Sequence, residues 1–252
     1  MMENRVVIHG VTPEDAATVM LVREARGGLE VYMTRRQDHL KFMGGYYVFP
    51  GGKVDASDLS DVAAERCRFG ARDARARLAG VDDARRALGF WVAGIRELFE
   101  ETGVLVAEDA EGRPLAGLDP VRLSLLRGEL QARRLAFPEL LRQEGLHLSL
   151  DSLLWFAHWI TPSSSPRRFS TFFFIARQPA GQGPQPFTPE IAHAAWVSPD
   201  AALEHWRQGR WPLIPPTIAS LDTLARYSSW EALHADFSRP PKEHARTVWT
   251  GS

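Results

Sequence analysis

The chain has 252 residues, 44% hydrophobic and 24% charged, the composition of an ordinary globular protein able to bury a sizeable core. Its 30 Lys and Arg against 31 Asp and Glu leave a net charge of −1, so no overall field draws it to nucleic acid or to an anionic membrane. A single cysteine, Cys67, excludes an internal disulfide framework and fits a reducing compartment; its expected role is a small apolar filler inside a helix.

The opening MMENRVVIHG lacks the basic start and apolar run of a signal peptide, and no apolar stretch reaches the length of a membrane span. Cytoplasm is therefore the expected compartment. AATVMLVREA and LEVYMTRR read as two strands joined at the Gly27-Gly28 pair. YYVFP reads as a short aromatic strand that the Pro50-Gly51-Gly52 turn ends. Residues 60–78, rich in Ala, Arg and Asp, have helical character, and the apolar spacing of Trp91, Ile95, Leu98 and Phe99 predicts a helix over 82–102. Gly103 sits where a left-handed cap is expected. Two more helices are expected over 120–135 and 137–144. LLWFAHWI and FSTFFFIA read as buried strands joined by the loop TPSSSPRR, and GQGPQPFTPE as another loop. HAAWVS is a short strand, SPDAALEHWRQG a helix, and 216–226 the last clear helix. No internal repeat is present. The expected architecture is one α/β (α+β) domain over 1–252, with a mixed sheet between helices, a helical insertion at about 59–90 and further helices at about 120–145.

The segment RELFEETG, residues 96–103, breaks a local rule. Helices favour cations in their last turn, where unpaired carbonyls carry partial negative charge, yet this one places Glu97, Glu100 and Glu101 there. Spacings of three and four put the carboxylates on one face, where they repel one another. A hard divalent cation, Mg2+ or Mn2+, is the natural compensation, because the set offers oxygen donors without Cys or clustered His. The plainer alternative is a solvated acidic face in which Arg96 pairs Glu100. Upstream, Gly51 and Gly52 lack a Cβ and let the backbone approach a phosphate or metal.

Together, FPGGKVDASD and AGIRELFEETGV resemble the Nudix box: a glycine, five residues, an acid, a spacer, then Arg-Glu-aliphatic-any-Glu-Glu-any-Gly-aliphatic. Gly52 takes the first position and Asp58 stands where the family has glutamate. Arg96, Glu97, Leu98, Glu100, Glu101, Gly103 and Val104 match the second half. The family's spacer is seven residues, whereas residues 59–95 make 37 here, an insertion of thirty. The shorter Asp58 and the long insertion put the orientation of Arg96 in question. Such an insertion resembles the subfamily of peroxisomal-type coenzyme A diphosphatases, as do KFMGGYYVFPGGKVDASD, HWITPSSSPRRFSTFFFIA and AAWVSPDAAL in the same order. The run YMTRRQDHLKFMGGYYVFPGG keeps the spacing of the upstream pattern of coenzyme A-cleaving members, with Thr34, Arg36, Gly45 and Phe49 matching, Lys41 for Arg and Gln37 for Ser.

The resemblance implies a Nudix fold and metal-dependent hydrolysis of a diphosphate linkage in a nucleotide-derived small molecule, foremost coenzyme A or acyl-coenzyme A. It implies Glu97, Glu100, Glu101 and the Gly51 carbonyl as metal ligands, with Glu190 as the further acid that often completes such sites. Arg36, Lys41, Arg167 and Arg168 are candidates for the substrate's phosphates, against the alternative of solvated strand ends and loops. His158 and His193 are expected to be structural, while Tyr46, Tyr47 or Trp155 are candidates for stacking on adenine. Competing readings are hydrolysis of ADP-ribose, dinucleotide cofactors or dinucleoside polyphosphates, and, in another class, a non-catalytic nucleotide sensor. The insertion and the helices after it offer a surface for a homodimer or another partner.

Overall fold

A computed structural model of the chain describes residues 11–186 and 190–238. The opening decapeptide and Phe187 to Pro189 of the GQGPQPFTPE loop lie outside the described residues. Strand β1 (Glu14–Ala25) is the spine of a seven-stranded mixed sheet. It pairs in antiparallel sense with β2 (Gly28–Arg36) and in parallel with β6 (Phe169–Arg177), on whose far side β5 (Leu154–Ile160) lies antiparallel. On the outer side of β2 run β3 (Tyr47–Val48) and β7 (Ile191–Val197), both antiparallel to it.

The side-chain period of two sorts β1 and β6 between two cores. Ala17, Val19, Leu21, Phe172 and Phe174 join one cluster, and Met20, Val22, Phe173 and Ile175 the other. Each fully buried Phe contributes about 1.5–3 kcal/mol relative to exposure. The first cluster is covered by α1 (Asp61–Glu65), α2 (Ala71–Ala76), α3 (Ala84–Thr102), α4 (Pro120–Gln131) and α5 (Phe137–Gln143). The second lies under α6 (Pro199–Arg207), α7 (Pro215–Leu224) and α8 (Trp230–Phe237). The result is the mixed sheet between helical layers expected from the sequence. No helix among the described residues is long and apolar enough to cross a membrane.

The long helix α3 is set at both ends by its own sequence. Asp83 caps its start by accepting from Arg86 N at 2.8 Å, and Gly103 ends it in the left-handed region at φ 76°. A 3-10 turn (Ala56–Leu59) carries Asp58, and the residues between it and Arg96 form α1, α2 and the first part of α3.

Three expectations are corrected. Pro50-Gly51-Gly52 is not a strand-ending turn: the chain bends at Pro50, and Gly51–Lys53 becomes strand β4, antiparallel to β1 with Thr18 opposite Gly51. Only glycine permits this, since a Cβ on Gly51 would stand 2.5 Å from the Ala17 carbonyl oxygen. Cys67 lies just beyond α1 rather than inside a helix, where its Sγ donates to Ala63 O at 3.2 Å and burial pushes its thiol up to about 12. Helix α8 escaped the sequence reading, although Ser229, which accepts from Ala232 N, and Glu231 in the first turn were an available start signal.

Candidate active site

Strand β4 and the last turns of α3 meet β1 at one end of a cavity of about 610 Å³. Glu97 and Glu101 line it, together with Gly51, Gly52 and Lys53. The approach is so close that a Cβ on Gly52 would fall 2.5 Å from the carboxyl carbon of Glu97. The glycine pair thus makes room for the acidic side chains that the helix brings over β4.

Arg96, 4% exposed, organises this end. Its Nε donates to Asp58 Oδ1 at 3.0 Å, and its Nη2 donates to Asp58 Oδ2 at 2.9 Å and to Lys53 O at 2.7 Å. Asp58 is fully buried, and its Oδ2 also accepts from Asp55 N at 2.8 Å, which closes the 3-10 turn that delivers it. Neither the shorter acid nor the insertion disturbs Arg96, because the 3-10 turn brings the Asp58 carboxylate to it from before the insertion. The third nitrogen, Nη1, lies 2.7 Å from Glu97 Oε1 and 3.3 Å from Glu100 Oε1.

Burial dominates the electrostatics. It raises the Glu97 carboxyl to about 7 against the opposing pull of Arg96, and Glu100 adds to the rise. Glu100 is raised by burial too. Glu101 is raised well above the carboxylate range, first by burial and then by Glu97, while Arg36 and a hydrogen bond from the Gly51 backbone work against the shift. Three carboxylates whose charge is disfavoured as they stand are a donor set that a cation would stabilise.

Their chemistry fits a hard divalent ion: all donors are oxygens, with the Gly51–Gly52 backbone held against them. Among the described residues, no group of three His, Cys, Asp or Glu side chains converges in a metal-holding arrangement. Arg96 Nη1 occupies the space between Glu97 and Glu100. Both glutamates meet Nη1 through Oε1, which leaves the second oxygen of each carboxylate outside that contact.

The rest of the lining includes an apolar, aromatic set, Phe42, Phe49, Trp159, Phe169 and Phe173. Arg36 and Glu190 meet here, Nη2 to Oε2 at 2.9 Å, and Arg36 Nε also donates to Phe42 O at 3.2 Å. Arg167 lines the same space with its guanidinium carbon 5.1 Å from the Phe42 ring centre and 5.2 Å from that of Phe169.

Other candidates fall elsewhere. Arg168 parts from Arg167: it donates to Thr161 O at 3.0 Å and Val11 O at 2.8 Å, and ties backbone rather than facing the cavity. Lys41 is exposed and off the cavity wall. His158 is buried against Ser170 at 2.8 Å and His193 packs edge-on to Tyr47 at 6.2 Å. Tyr47 is stacked on Trp211 at 3.9 Å and Trp155 is in the core, so neither presents a free face, and Tyr46 stays outside the cavity. The aromatic wall was missed from sequence, although alternate residues of LLWFAHWI and FSTFFFIA had to face the α6–α8 side of the sheet.

The family model described as the NUDT19 Nudix domain matches residues 13–224. An acyl-coenzyme A diphosphatase NUDT19 from Gallus gallus is 30% identical, over 87% of this chain and 70% of its own length. The protein of the same name from Homo sapiens is 29% identical, over 82% of this chain and 63% of its own. These relatives are longer, and this chain spans roughly two thirds of them. A solved structure of a NUDIX hydrolase from Alicyclobacillus acidocaldarius is 28% identical and superposes with a TM-score of 0.73, covering 96% of this chain and 99% of that one.

Proposed function

This chain belongs to the Nudix hydrolases, in the NUDT19 Nudix domain family, and from that premise we propose that it cleaves the diphosphate of coenzyme A or an acyl-coenzyme A. The carrying observation is that Arg36 and Phe42, from the segment resembling the coenzyme A pattern, line the same cavity as Glu97 and Glu101. The printed names of the relatives, acyl-coenzyme A diphosphatases, support the same substrate class. A cavity of about 610 Å³ has the size of a small-molecule site.

Nudix hydrolases generally use divalent metals, and here Glu97, Glu100, Glu101 and the Gly51 backbone would hold Mg2+ or Mn2+. Bound there, it would supply positive charge to the diphosphate and make water a better nucleophile. Arg96 keeps the carboxylates in place through its Asp58 anchor. Arg36 and Arg167 set positive charge against the substrate's phosphates, and the aromatic wall carries its apolar part. Glu190, fixed by Arg36 through Oε2, takes the proton from the attacking water. The new phosphorus–oxygen bond forms in line with the bridging bond that breaks, giving adenosine 3′,5′-bisphosphate and 4′-phosphopantetheine or its acyl thioester.

The test is a chromatographic panel of coenzyme A, acetyl-coenzyme A, ADP-ribose, NADH and diadenosine polyphosphates with Mg2+ or Mn2+. Release of adenosine 3′,5′-bisphosphate from coenzyme A, lost in Glu100→Gln, is the expected result. Turnover confined to ADP-ribose or a dinucleotide would overturn the substrate assignment, and silence from folded, metal-binding protein would favour the nucleotide-sensor reading.

A further inference from the structure

Helix α3 ends with three glutamates and no basic residue in its last turn, so the cation that normally complements a helix C-terminus must come from elsewhere. Its terminal carbonyls can be followed one by one. Phe99 O accepts from Gly103 N at 2.8 Å, and Leu98 O accepts from Thr102 Oγ1 at 2.6 Å. Thr102 O accepts from Gln185 N at 2.7 Å. The amide four residues beyond Glu100 belongs to Val104, and it donates to Thr102 Oγ1 instead. Glu100 O takes its hydrogen bonds from Arg127, Nη2 at 3.0 Å and Nε at 3.3 Å, with Gln131 Nε2 at 3.5 Å beside them.

Arg127 comes from α4, a helix whose pattern is inverted. Its buried residues are Leu126, Arg127 and Leu130, while Val121 and Leu125 are 78% and 53% exposed. A helix that turns an arginine inward and leaves Val and Leu outside breaks the ordinary burial pattern, and such breaks mark functional constraint. Space for the guanidinium is reserved as well: a Cβ on Gly103 would stand 3.1 Å from Arg127 Nη1. Burial lowers Arg127 to about 10, which leaves it charged at neutral pH.

We propose that Arg127 is a positioning residue, whose hold on the Glu100 carbonyl sets where the α3 carboxylates stand. The proposal rests on the metal-carboxylate reading above. It links α4, which lies outside the Nudix box, to the geometry of the box helix itself.

The test compares Arg127→Met and Arg127→Lys with Leu130→Ala, a cavity-forming change on the same buried face of α4. Mn2+ affinity is read without substrate, from the paramagnetic resonance of the free ion, and kcat and KM are read on the active substrate. Loss of a group that orients metal ligands costs about 10–100-fold. Arg127→Met is therefore expected to lose about that much in Mn2+ affinity and kcat with KM little changed. Arg127→Lys, which still offers a cation and a donor to Glu100 O, recovers most of the loss. Leu130→Ala lowers the melting temperature but leaves Mn2+ affinity and kcat near wild type. If Arg127→Met behaves like Leu130→Ala in both readouts, the proposal is overturned. Should Arg127→Met fail to fold, Arg127→Gln takes its place under the same criterion. A wild type that binds Mn2+ but cleaves nothing in the panel sinks the substrate reading, and the Mn2+ affinities alone then decide the role of Arg127.

Discussion

At the inner end of the cavity, β1, β4 and α3 approach so closely that a single methyl group on Gly52 would collide with Glu97. At the rim, Arg36, Phe42, Arg167, Phe169 and Glu190 meet through one ion pair, one hydrogen bond to a backbone carbonyl and two ring contacts. The inner end is fixed several times over, by strand register, a buried ion pair and a capped helix. The rim is fixed by interactions that are half in water: in the Arg36–Glu190 pair the side chains are 22% and 55% exposed, and such pairs contribute about 0–1 kcal/mol. The difference teaches where each kind of change acts. Substitutions inside should strike fold and chemistry together, while substitutions at the rim should alter substrate affinity and little else.

The comparison is broken most forcefully at Asp58. Asp58→Asn keeps the size but removes the charge that Arg96 faces inside the protein, and losing one partner of a buried pair costs about 3–5 kcal/mol. Against a typical total stability of about 5–15 kcal/mol, urea unfolding should show this as a large drop in midpoint. Turnover should fall as well, because Arg96 is left holding Glu97 and Glu100 without its anchor. A stability loss below about 1 kcal/mol would mean that the inner end is no more rigid than the rim.

Gly52→Ala comes next. The added Cβ would meet the Glu97 carboxyl group, and either β4 or the helix end must shift. Enzymes lose about 100-fold from misplacements of order 1 Å, so kcat should fall by at least that factor. Circular dichroism should keep its native shape because the sheet still forms, while the urea midpoint falls with the strain at this contact. Retained activity in Gly52→Ala would show that the α3 carboxylates do not need the close approach of β4.

How far the sequence carried follows the same division. The residues of the box were legible because their spacing is local: the glycines, the acid and the glutamate triplet each sit on one short element. The α3 helix was legible from its apolar period and from Gly103. What brings Asp58 onto Arg96 was not legible, because 37 residues intervene and only the packed sheet closes that distance. Arg127 could not be read at all: its meaning is a hydrogen bond to a carbonyl 27 residues earlier, and on a helical wheel it is just another charge. Strand β4 was mistaken for a turn because Pro-Gly-Gly has turn chemistry, and tertiary pairing with β1 overrode it. Neighbouring arginines in TPSSSPRR were indistinguishable by composition, yet one faces the cavity and the other binds backbone.

That last pair gives the finest test of the rim. Arg167→Ala removes a guanidinium held between Phe42 and Phe169 on the cavity wall, so it should raise KM for coenzyme A by roughly 3–10-fold, equivalent to about 0.7–1.4 kcal/mol, with kcat unchanged. Arg168→Ala should leave KM alone and cost about 1 kcal/mol of stability, because its hydrogen bonds go to Val11 O and Thr161 O. Lys41→Ala should change both within the roughly 0.5 kcal/mol typical of exposed positions, even though Lys41 occupies a motif position. Steady-state kinetics on the three variants separate motif from geometry. If Lys41→Ala raises KM more than Arg167→Ala does, phosphate recognition follows the upstream sequence pattern, and the loop bearing Lys41 must then reach the substrate from outside the cavity wall described above.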